Sequence, residues 1–488
     1  MVEAGSDVIC RGTFSLQSVT CQTTSPQSLN RLHVDAIDTI ETRRRGVLTV
    51  AIETSCDDTS VAILETQSSK NGDTKAELHF HEKVTANNDA YGGIHPIVAL
   101  ESHQRSLGPL LHKAIQHLPS FSPNDPIPSS SNILFASHDG KLRKKPDFIS
   151  ATRGPGMRSN LSVGLNTAKG LSLAWNIPLI GVHHMQAHAL TPRLMTALNS
   201  RSPTSLRPSF PFLSLLVSGG HTMLISSTSL IKHSILASTP DIALGDCLDK
   251  AARMILPPDL LTPPYGRALE KFAFPDATSN PASYGYTPPR TREQELERRS
   301  SQRSWSFGAP LGESRGGRSS RRMEYSFSGL LTAVQRATGT VPTPGSPARQ
   351  AQDIGLEERR AMAQEVQRVA FEHLCGRLLL YLKSLDKAER EKVQTVVVSG
   401  GVAANRFLRH VLRSMLDVQG FEGIEVLFPP VEYCTDNAAM IAWAGVEMWN
   451  EGHRSGLEIE PIRKWSLDPE AADGGILGAS GWVKSGGQ

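Results

Sequence analysis

Two strand-sized apolar runs in this chain stop at the same three residues. Phe212–Val217 leads into Ser218-Gly219-Gly220, and Val393–Val398 leads into Ser399-Gly400-Gly401. An apolar run of that length, closed by glycines, is the pattern of a buried sheet strand. The glycines let the chain turn sharply and let backbone N–H groups approach a ligand. A related unit, VLTVAIETSCDDTSVAILE at 47–65, reads as strand, polar turn, strand, with Thr54, Ser55, Asp57 and Asp58 in the turn. Three such turns, from separate parts of one chain, predict two lobes closing around one ligand. The two glycine units are alike enough to read as a faint internal repeat.

The stretches between them carry helical periodicity. Residues 96–118 read as an amphipathic helix. A short strand at Asp147–Thr152 is followed by the RGPG turn at 153–156 and a helix to Trp175. Ile177–Val182 is a strand that runs into a histidine-rich helix start, and Val402–Leu416 is a helix. Strands alternating with helices place the chain in the α/β class.

Bulk properties narrow the partners. At 488 residues and 39% hydrophobic, the chain can bury a sizeable core. A formal net charge of +3 gives no global pull toward nucleic acid, so any such contact must come from a local patch. Six cysteines, none within three positions of another, exclude a CxxC zinc site and argue against a disulfide framework. A reducing compartment fits that usage. No apolar run approaches the ~18 residues of a membrane span.

Three stretches stand apart. Residues 8–34 lack Asp and Glu, carry Arg11 and Arg31, and precede Arg43-Arg44-Arg45, which suits a mitochondrial transit peptide. Glu3, Asp7, Asp35, Asp38 and Glu41 speak for a disordered tail or a misplaced start instead. Residues 119–146 are rich in Pro and Ser with a basic end, and read as a surface insertion. Residues 275–323 lack apolar periodicity, and from 290 to 322 nine Arg face four Glu. That composition predicts disorder, with an RNA-touching loop as the functional alternative.

The motif HHMQAH at 183–188 is the sharpest chemical signal. His184 and His188 lie four apart, so on a helix both imidazoles share one face, as two ligands of a divalent metal must. Met185 stands where a zinc peptidase of the HExxH type has its glutamate, so water activation for peptide hydrolysis is not on offer. A metal here would hold or polarise a substrate. Asp436, in TDNAAM at 435–440, is the candidate third ligand, yet Thr435, Asp436 and Asn437 all suit an ordinary helix cap, which the local pattern alone favours.

The glycine turns at 218–220 and 399–401 can cradle phosphate oxygens. No GxxxxGK[ST] and no GxGxxG is present, which removes the P-loop and the Rossmann dinucleotide site. Asp249 and Lys250 lie in a helical pattern, either as a solvated face or with Asp249 gripping ribose hydroxyls. Cys56 and Cys434 sit beside acidic residues, which raise a thiol's pKa, so neither reads as a nucleophile.

Taken together, IETSCDDTSVAIL at 52–64, HHMQAH at 183–188, LLVSGGHT at 215–222, SFSGL at 326–330, VSGGVAANRFLR at 398–409 and EYCTDNAAMIAWAG at 432–445 resemble the tRNA N6-adenosine threonylcarbamoyltransferase family. They run in its order from about 47 to 450. CDDT at 56–59 and RGPGMRSNLSVGLN at 153–166 resemble its mitochondrial branch. The resemblance implies an actin-like/Hsp70-like ATPase (ASKHA) fold, two α/β lobes around a nucleotide cleft. It implies transfer of a threonylcarbamoyl group from threonylcarbamoyl-AMP to N6 of the adenosine 3′ of the anticodon, in tRNAs reading codons that begin with adenine. One divalent metal per subunit, iron or zinc, would be held by His184, His188 and Asp436. Leu216, Val217, Ser218, Gly219, Gly220, Asp249, Gly266, Glu270, Ala404, Asn405 and Thr435 would contact the nucleotide-bearing substrate. A homodimer in the mitochondrial matrix, with no membrane contact, completes the expectation.

The organisation expected is a leader at 1–46, a two-lobed transferase domain at 47–460 with insertions near 119–146 and 275–323, and a C-terminal tail at 461–488. The sequence departs from the family at Tyr265-Gly266, where many relatives carry two glycines. A kinase or ATPase of the same fold, or a nucleotide-binding scaffold, are the competing readings, and a helical HxxxH argues against both.

Overall fold

The structure, a computed structural model, describes residues 46–69, 73–88, 91, 94–121, 133–136, 140–202, 204–276, 281–298, 304–312, 319–342 and 350–484. The leader expected at 1–46 lies outside the described residues except for Gly46.

The strands are β1 (Val47–Glu53), β2 (Asp58–Ser68), β3 (Thr74–Thr85), β4 (Ile133–Ala136), β5 (Leu142–Lys144), β6 (Phe148–Gly154), β7 (Leu179–His183), β8 (Phe212–Val217), β9 (Thr222–Ser227), β10 (His233–Ser238), β11 (Thr395–Ser399), β12 (Glu425–Leu427), β13 (His453–Ser455) and β14 (Trp482–Lys484). They form a seven-stranded sheet in the order β14-β13-β7-β6-β1-β2-β3 and a five-stranded sheet in the order β10-β9-β8-β11-β12. β4 and β5 make a small hairpin of their own within the expected insertion at 119–146.

The two sheets repeat one topology. β1, β2 and β3 form an antiparallel meander, with β6 and then β7 added parallel beside β1. β8, β9 and β10 form the same meander, with β11 and then β12 added parallel beside β8. This two-sheet α/β arrangement is the one expected of the actin-like fold. It also corrects the repeat read from sequence. The look-alike strands β8 and β11 are parallel neighbours in one sheet; the true counterpart of β8 is β1.

Helices cover the sheets according to their apolar faces. Pro96–Ile115 and Arg158–Trp175 bury Leu107, Leu111, Leu165 and Ala168 against β1 and β6. The second of these ends at Asn176, whose left-handed φ of 50° closes the helix. Leu244–Ile255, Leu356–Ser384 and Arg406–Val418 pack on the far face of the five-stranded sheet. Between the sheets lie His184–Asn199 and Ala438–Asn450. Their core takes Ala51, Phe148 and Ile180 from one sheet and Phe212, Leu216 and Val397 from the other. That continuity joins the lobes, and the helices at the junction carry the metal-ligand candidates at their N-terminal ends.

Two expected boundaries are corrected. Within 275–323, of which 277–280, 299–303 and 313–318 lie outside the described residues, the aromatic side chains are packed against the core. Phe307 is 1% exposed within the core of the second sheet, and Tyr284, Tyr286 and Trp305 pack against it. Tyr284 lies 5.0 Å from Phe274 and 5.2 Å from Phe407, ring to ring. The indole of Trp305 donates to Glu358 at 2.8 Å. Buried Glu295 pairs with Arg292. Phe307, fully buried, contributes roughly 1.5–3 kcal/mol, and the half-buried Tyr284, Tyr286 and Trp305 add less each, apolar burial that the average composition conceals. Nor is 461–484 a tail: Trp465, Leu467 and Ile476 join the inter-sheet core, and β14 pairs with β13 at the edge of the seven-stranded sheet. Among the described residues, no helix is long and apolar enough to cross a membrane.

Candidate metal centre and glycine cradle

β7 runs without a break into the helix His184–Asn199. His183 is the cap: its Nδ1 accepts from the Gln186 amide, while Nε2–H donates to the Trp465 carbonyl at 3.1 Å. Burial pushes its imidazole down to about 3, so His183 is a neutral structural residue. One turn of helix then separates His184 from His188, and their rings lie 4.7 Å apart, edge to face.

Asp436 arrives from the other inter-sheet helix. The cap of Ala438–Asn450 is Asn437, whose side chain accepts from the Met440 amide at 3.0 Å. Asp436 is thereby free of the capping role that its sequence context suggested. Its Oδ1 lies 3.4 Å from Nε2 of His184 and 3.1 Å from Nε2 of His188. One ligand atom from each of the three residues falls within 4.8 Å of the others, among the described residues. Two nitrogens and a carboxylate oxygen converging on one point suit a divalent transition metal.

The surrounding residues support that reading. Glu53, fully buried at the end of β1, places Oε2 3.3 Å from Nδ1 of His184. Glu53 engages Nδ1, which leaves Nε2, the nitrogen facing Asp436, as the atom that would bind a metal once its proton is displaced. Burial alone would lower the His184 imidazole, but Asp436 and Glu53 outweigh it and raise the group to about 10. Burial alone would also raise Asp436, yet the two imidazoles hold it well below the ordinary carboxylate range. Two carboxylates around two imidazoles make a pocket that favours positive charge, whether proton or metal ion. Thr152 donates to Glu53, and Ser55 Oγ lies 3.3 Å from Nδ1 of His184.

The metal centre sits beside equivalent turns of the two sheets. Ser55 belongs to the turn after β1, and His221 to the turn after β8. His221 is exposed at this turn, and its imidazole is shifted down by partial desolvation and by His184, while Asp436 pulls the other way. The Ser218 hydroxyl accepts from the amides of Gly220 and His221 at 3.2 and 3.0 Å, which fixes the turn. Gly400 has φ +97°, and a Cβ there would overlap the Val217 carbonyl oxygen. Only glycine lets the turns after β8 and β11 come this close.

The expected substrate residues gather in part. Ser218, Gly219 and Gly220 form the turn itself, and the amide of Gly245 donates to the Ser218 carbonyl at 3.1 Å. Asp249 accepts from the Gly266 amide at 2.9 Å, so the single glycine after Tyr265 keeps that contact. Glu270 accepts from the amides of Arg406 and Phe407 at 2.7 and 3.2 Å, beside Asn405, which caps the same helix. Burial raises both Asp249 and Glu270. Ala404 ends the short 3-10 turn Gly401–Ala404 that leads into Asn405. The side chains of Leu216 and Val217 point into cores on opposite faces of the sheet, which leaves only their backbone for a ligand. Thr435 accepts from Lys83 at 2.9 Å, and Lys83 also pairs with Asp58 at 2.8 Å.

Sequence reasoning placed Ser55 in a turn facing the ligand without giving it a role, and it missed Glu53 and His221. A glutamate closing an otherwise apolar strand was the available signal, since a charge so placed must be paired. The thiol expectation holds, with burial the larger cause: Cys434 is pushed up to about 11 and Cys56 further, the latter helped by Asp436 and Asp57.

Comparison with known proteins bears on this geometry. The family described as "TsaD: tRNA N6-adenosine threonylcarbamoyltransferase" matches residues 134–443. The mitochondrial tRNA N6-adenosine threonylcarbamoyltransferase of Schizosaccharomyces pombe is 36% identical over 448 residues, 90% of each chain. Enzymes named tRNA N6-adenosine threonylcarbamoyltransferase from Sinorhizobium medicae and Bartonella henselae are 32% and 33% identical. They cover 86% and 87% of this chain and 96% of their own.

Proposed function

Because the chain belongs to the tRNA N6-adenosine threonylcarbamoyltransferase family, in the branch with mitochondrial members, we propose a division of labour among its residues. The chain is an acyltransferase of tRNA modification that places a threonylcarbamoyl group on N6 of an adenosine. The donor in our reading is threonylcarbamoyl-AMP and the acceptor is the adenosine 3′ of the anticodon, in tRNAs reading codons that begin with adenine. We place the reaction in the mitochondrial matrix and assign the working form as a homodimer.

The amine lone pair on N6 attacks the carbamoyl carbon. A C–N bond forms, the C–O bond to phosphate breaks with its electron pair leaving on AMP, and N6 loses a proton. AMP is already a good leaving group, so no protein nucleophile is needed, in keeping with the raised Cys56 and Cys434 thiols. His184, His188 and Asp436 would hold the divalent ion, iron or zinc. When bound, it supplies a Lewis acid that offsets charge growing on the attacked carbonyl. Glu53 fixes the His184 tautomer. The turn Ser218–Gly220, held open by its own internal hydrogen bonds, faces the phosphate, and Asp249 and Glu270 orient the loops around the ribose, with Asn405 capping the helix beside them. Ala404 and Thr435 line the same space.

The observation that carries this reading is the convergence of His184, His188 and Asp436 within 4.8 Å, at the junction of two sheets that share one topology. The test is nucleoside analysis of tRNA incubated with the metal-loaded chain and synthetic threonylcarbamoyl-AMP. Threonylcarbamoyladenosine should appear and should require both reactants. ATP turnover without tRNA, and no modified nucleoside, would favour a kinase of the same fold.

A further inference from the structure

We infer that a cavity beside the metal centre, walled by the segment Arg463–Leu467, receives the acceptor nucleobase, an adenine turned out of the RNA. The inference rests on the reading that the chain modifies an adenosine in tRNA. The cavity holds about 390 Å³, within the ~300–1,000 Å³ of small-molecule sites.

Its chemistry suits a base. Met185, Met223, Ile235 and Leu467 give it apolar walls, against which the flat face of a purine can pack. Arg463 and Lys464 also line it and are exposed, and neither side chain has an ion-pair partner among the described residues. Cations at the rim of an apolar slot match a nucleotide whose base is buried and whose phosphates stay in solvent. An enzyme acting on an exocyclic amine must extrude that base from its stack, and an unpaired loop nucleotide makes this cheap.

Its position suits an acceptor. His183 and Met185, which both line it, flank the ligand His184 where β7 passes into its helix, and His221, in the turn after β8, lines it too. None of the residues expected to hold the donor nucleotide lines the cavity. Donor and acceptor would thus approach the metal centre from different sides, with the carbamoyl carbon between them. The wall is also fixed in place. The Trp465 carbonyl accepts from His183 at 3.1 Å, its indole donates to the Gly475 carbonyl at 2.9 Å, and the Ser466 amide donates to Asp473 at 2.7 Å.

The test fills the cavity with Met223→Trp in the full-length, metal-loaded chain. The KM for tRNA should rise about tenfold or more, with the KM for threonylcarbamoyl-AMP within threefold of wild type, and Met223→Leu should stay near wild type. An anticodon stem-loop with 2-aminopurine at the acceptor position cannot react, and its fluorescence should rise on binding wild type and not on binding Met223→Trp. Should Met223→Trp fail to fold, Arg463→Glu serves at an exposed site. It should weaken binding of the same stem-loop about tenfold and make its salt dependence shallower. Unchanged tRNA KM in Met223→Trp, or unchanged affinity in Arg463→Glu, overturns the inference alone. A raised donor KM in Met223→Trp assigns the cavity to the donor and also overturns it. Wild-type chain that modifies no tRNA overturns the underlying reading and this inference with it.

Discussion

Oε2 of Glu53 lies 3.3 Å from Nδ1 of His184, on the side of the ring away from Asp436. The imidazole is held at both nitrogens, by a carboxylate at the end of β1 and by one at the start of an inter-sheet helix. Outer partners of this kind typically change metal affinity or activity by about 10–100-fold when removed. Glu53→Gln should weaken metal binding by that factor while leaving His184, His188 and Asp436 in place. Competition against a chelator measures it, and affinity equal to wild type would remove Glu53 from the site.

Losing a ligand should do more. His184→Ala, His188→Ala and Asp436→Asn each delete one of three converging donors. A bound metal's share of charge stabilisation is several kcal/mol, and each ~1.4 kcal/mol is tenfold in rate, so transfer should fall about 100-fold or more. Metal stoichiometry should fall with it. The assignment fails if all three variants keep metal and transfer. It fails differently if they unfold, since the site would then be structural.

The SFSGL motif at 326–330 is held by one carboxylate. Asp241 accepts from the hydroxyls of Ser326, Ser328 and Thr239 at 2.6, 2.7 and 2.8 Å, and from the Ile242 amide at 2.6 Å. Burial raises its pKa, but these donors outweigh that and hold it well below the ordinary 3.8. A folded pKa depressed in this way adds stability that is fully present above about 3.8 and is lost as the pH falls toward the folded value. Asp241 is largely exposed, so after solvent screening we expect Asp241→Asn to cost about 1 kcal/mol at pH 7. The gap between variant and wild type should narrow below pH ~4. Denaturant unfolding at pH 7, 5 and 3 checks this, and a gap independent of pH would count against it.

The stretch 275–323 should be needed for folding. Phe307 is 1% exposed, and core Phe→Ala substitutions cost roughly 3–5 kcal/mol. Phe307→Ala should lower the urea midpoint accordingly, and deleting 281–312 should abolish the cooperative transition. A deletion variant that melts within a few degrees of wild type would restore the disordered-loop reading.

Gly400 tests the cradle. Its φ is +97°, and the Val217 carbonyl oxygen occupies the space a Cβ would need. Gly400→Ala must therefore push the turns after β8 and β11 apart. Transfer should fall more than tenfold through a higher KM for threonylcarbamoyl-AMP, with metal content unchanged. Kinetics at varied donor concentration read this out, and an unchanged KM would mean the turn does not touch the donor.

What the sequence determined by itself was local. Apolar runs at strand length, the glycines after them and the i, i+4 histidines are each written within a few consecutive residues. Backbone geometry turns such spacing into a strand, a turn or a shared helical face without help from the rest of the chain. The family motifs extended that reading to the fold and the reaction. The tertiary structure alone decided which charges meet. Asp436 could be a cap or a ligand until Asn437 was seen to hold the cap, and Glu53 joined the site only because β1 ends beside the helix that begins at His184. It also decided what is buried. Tyr284, Tyr286, Trp305 and Phe307 sit at irregular spacing in an arginine-rich stretch, and β14 is three residues long. Neither leaves a periodic signal, because each owes its place to contacts with residues far away in sequence, which no local pattern records.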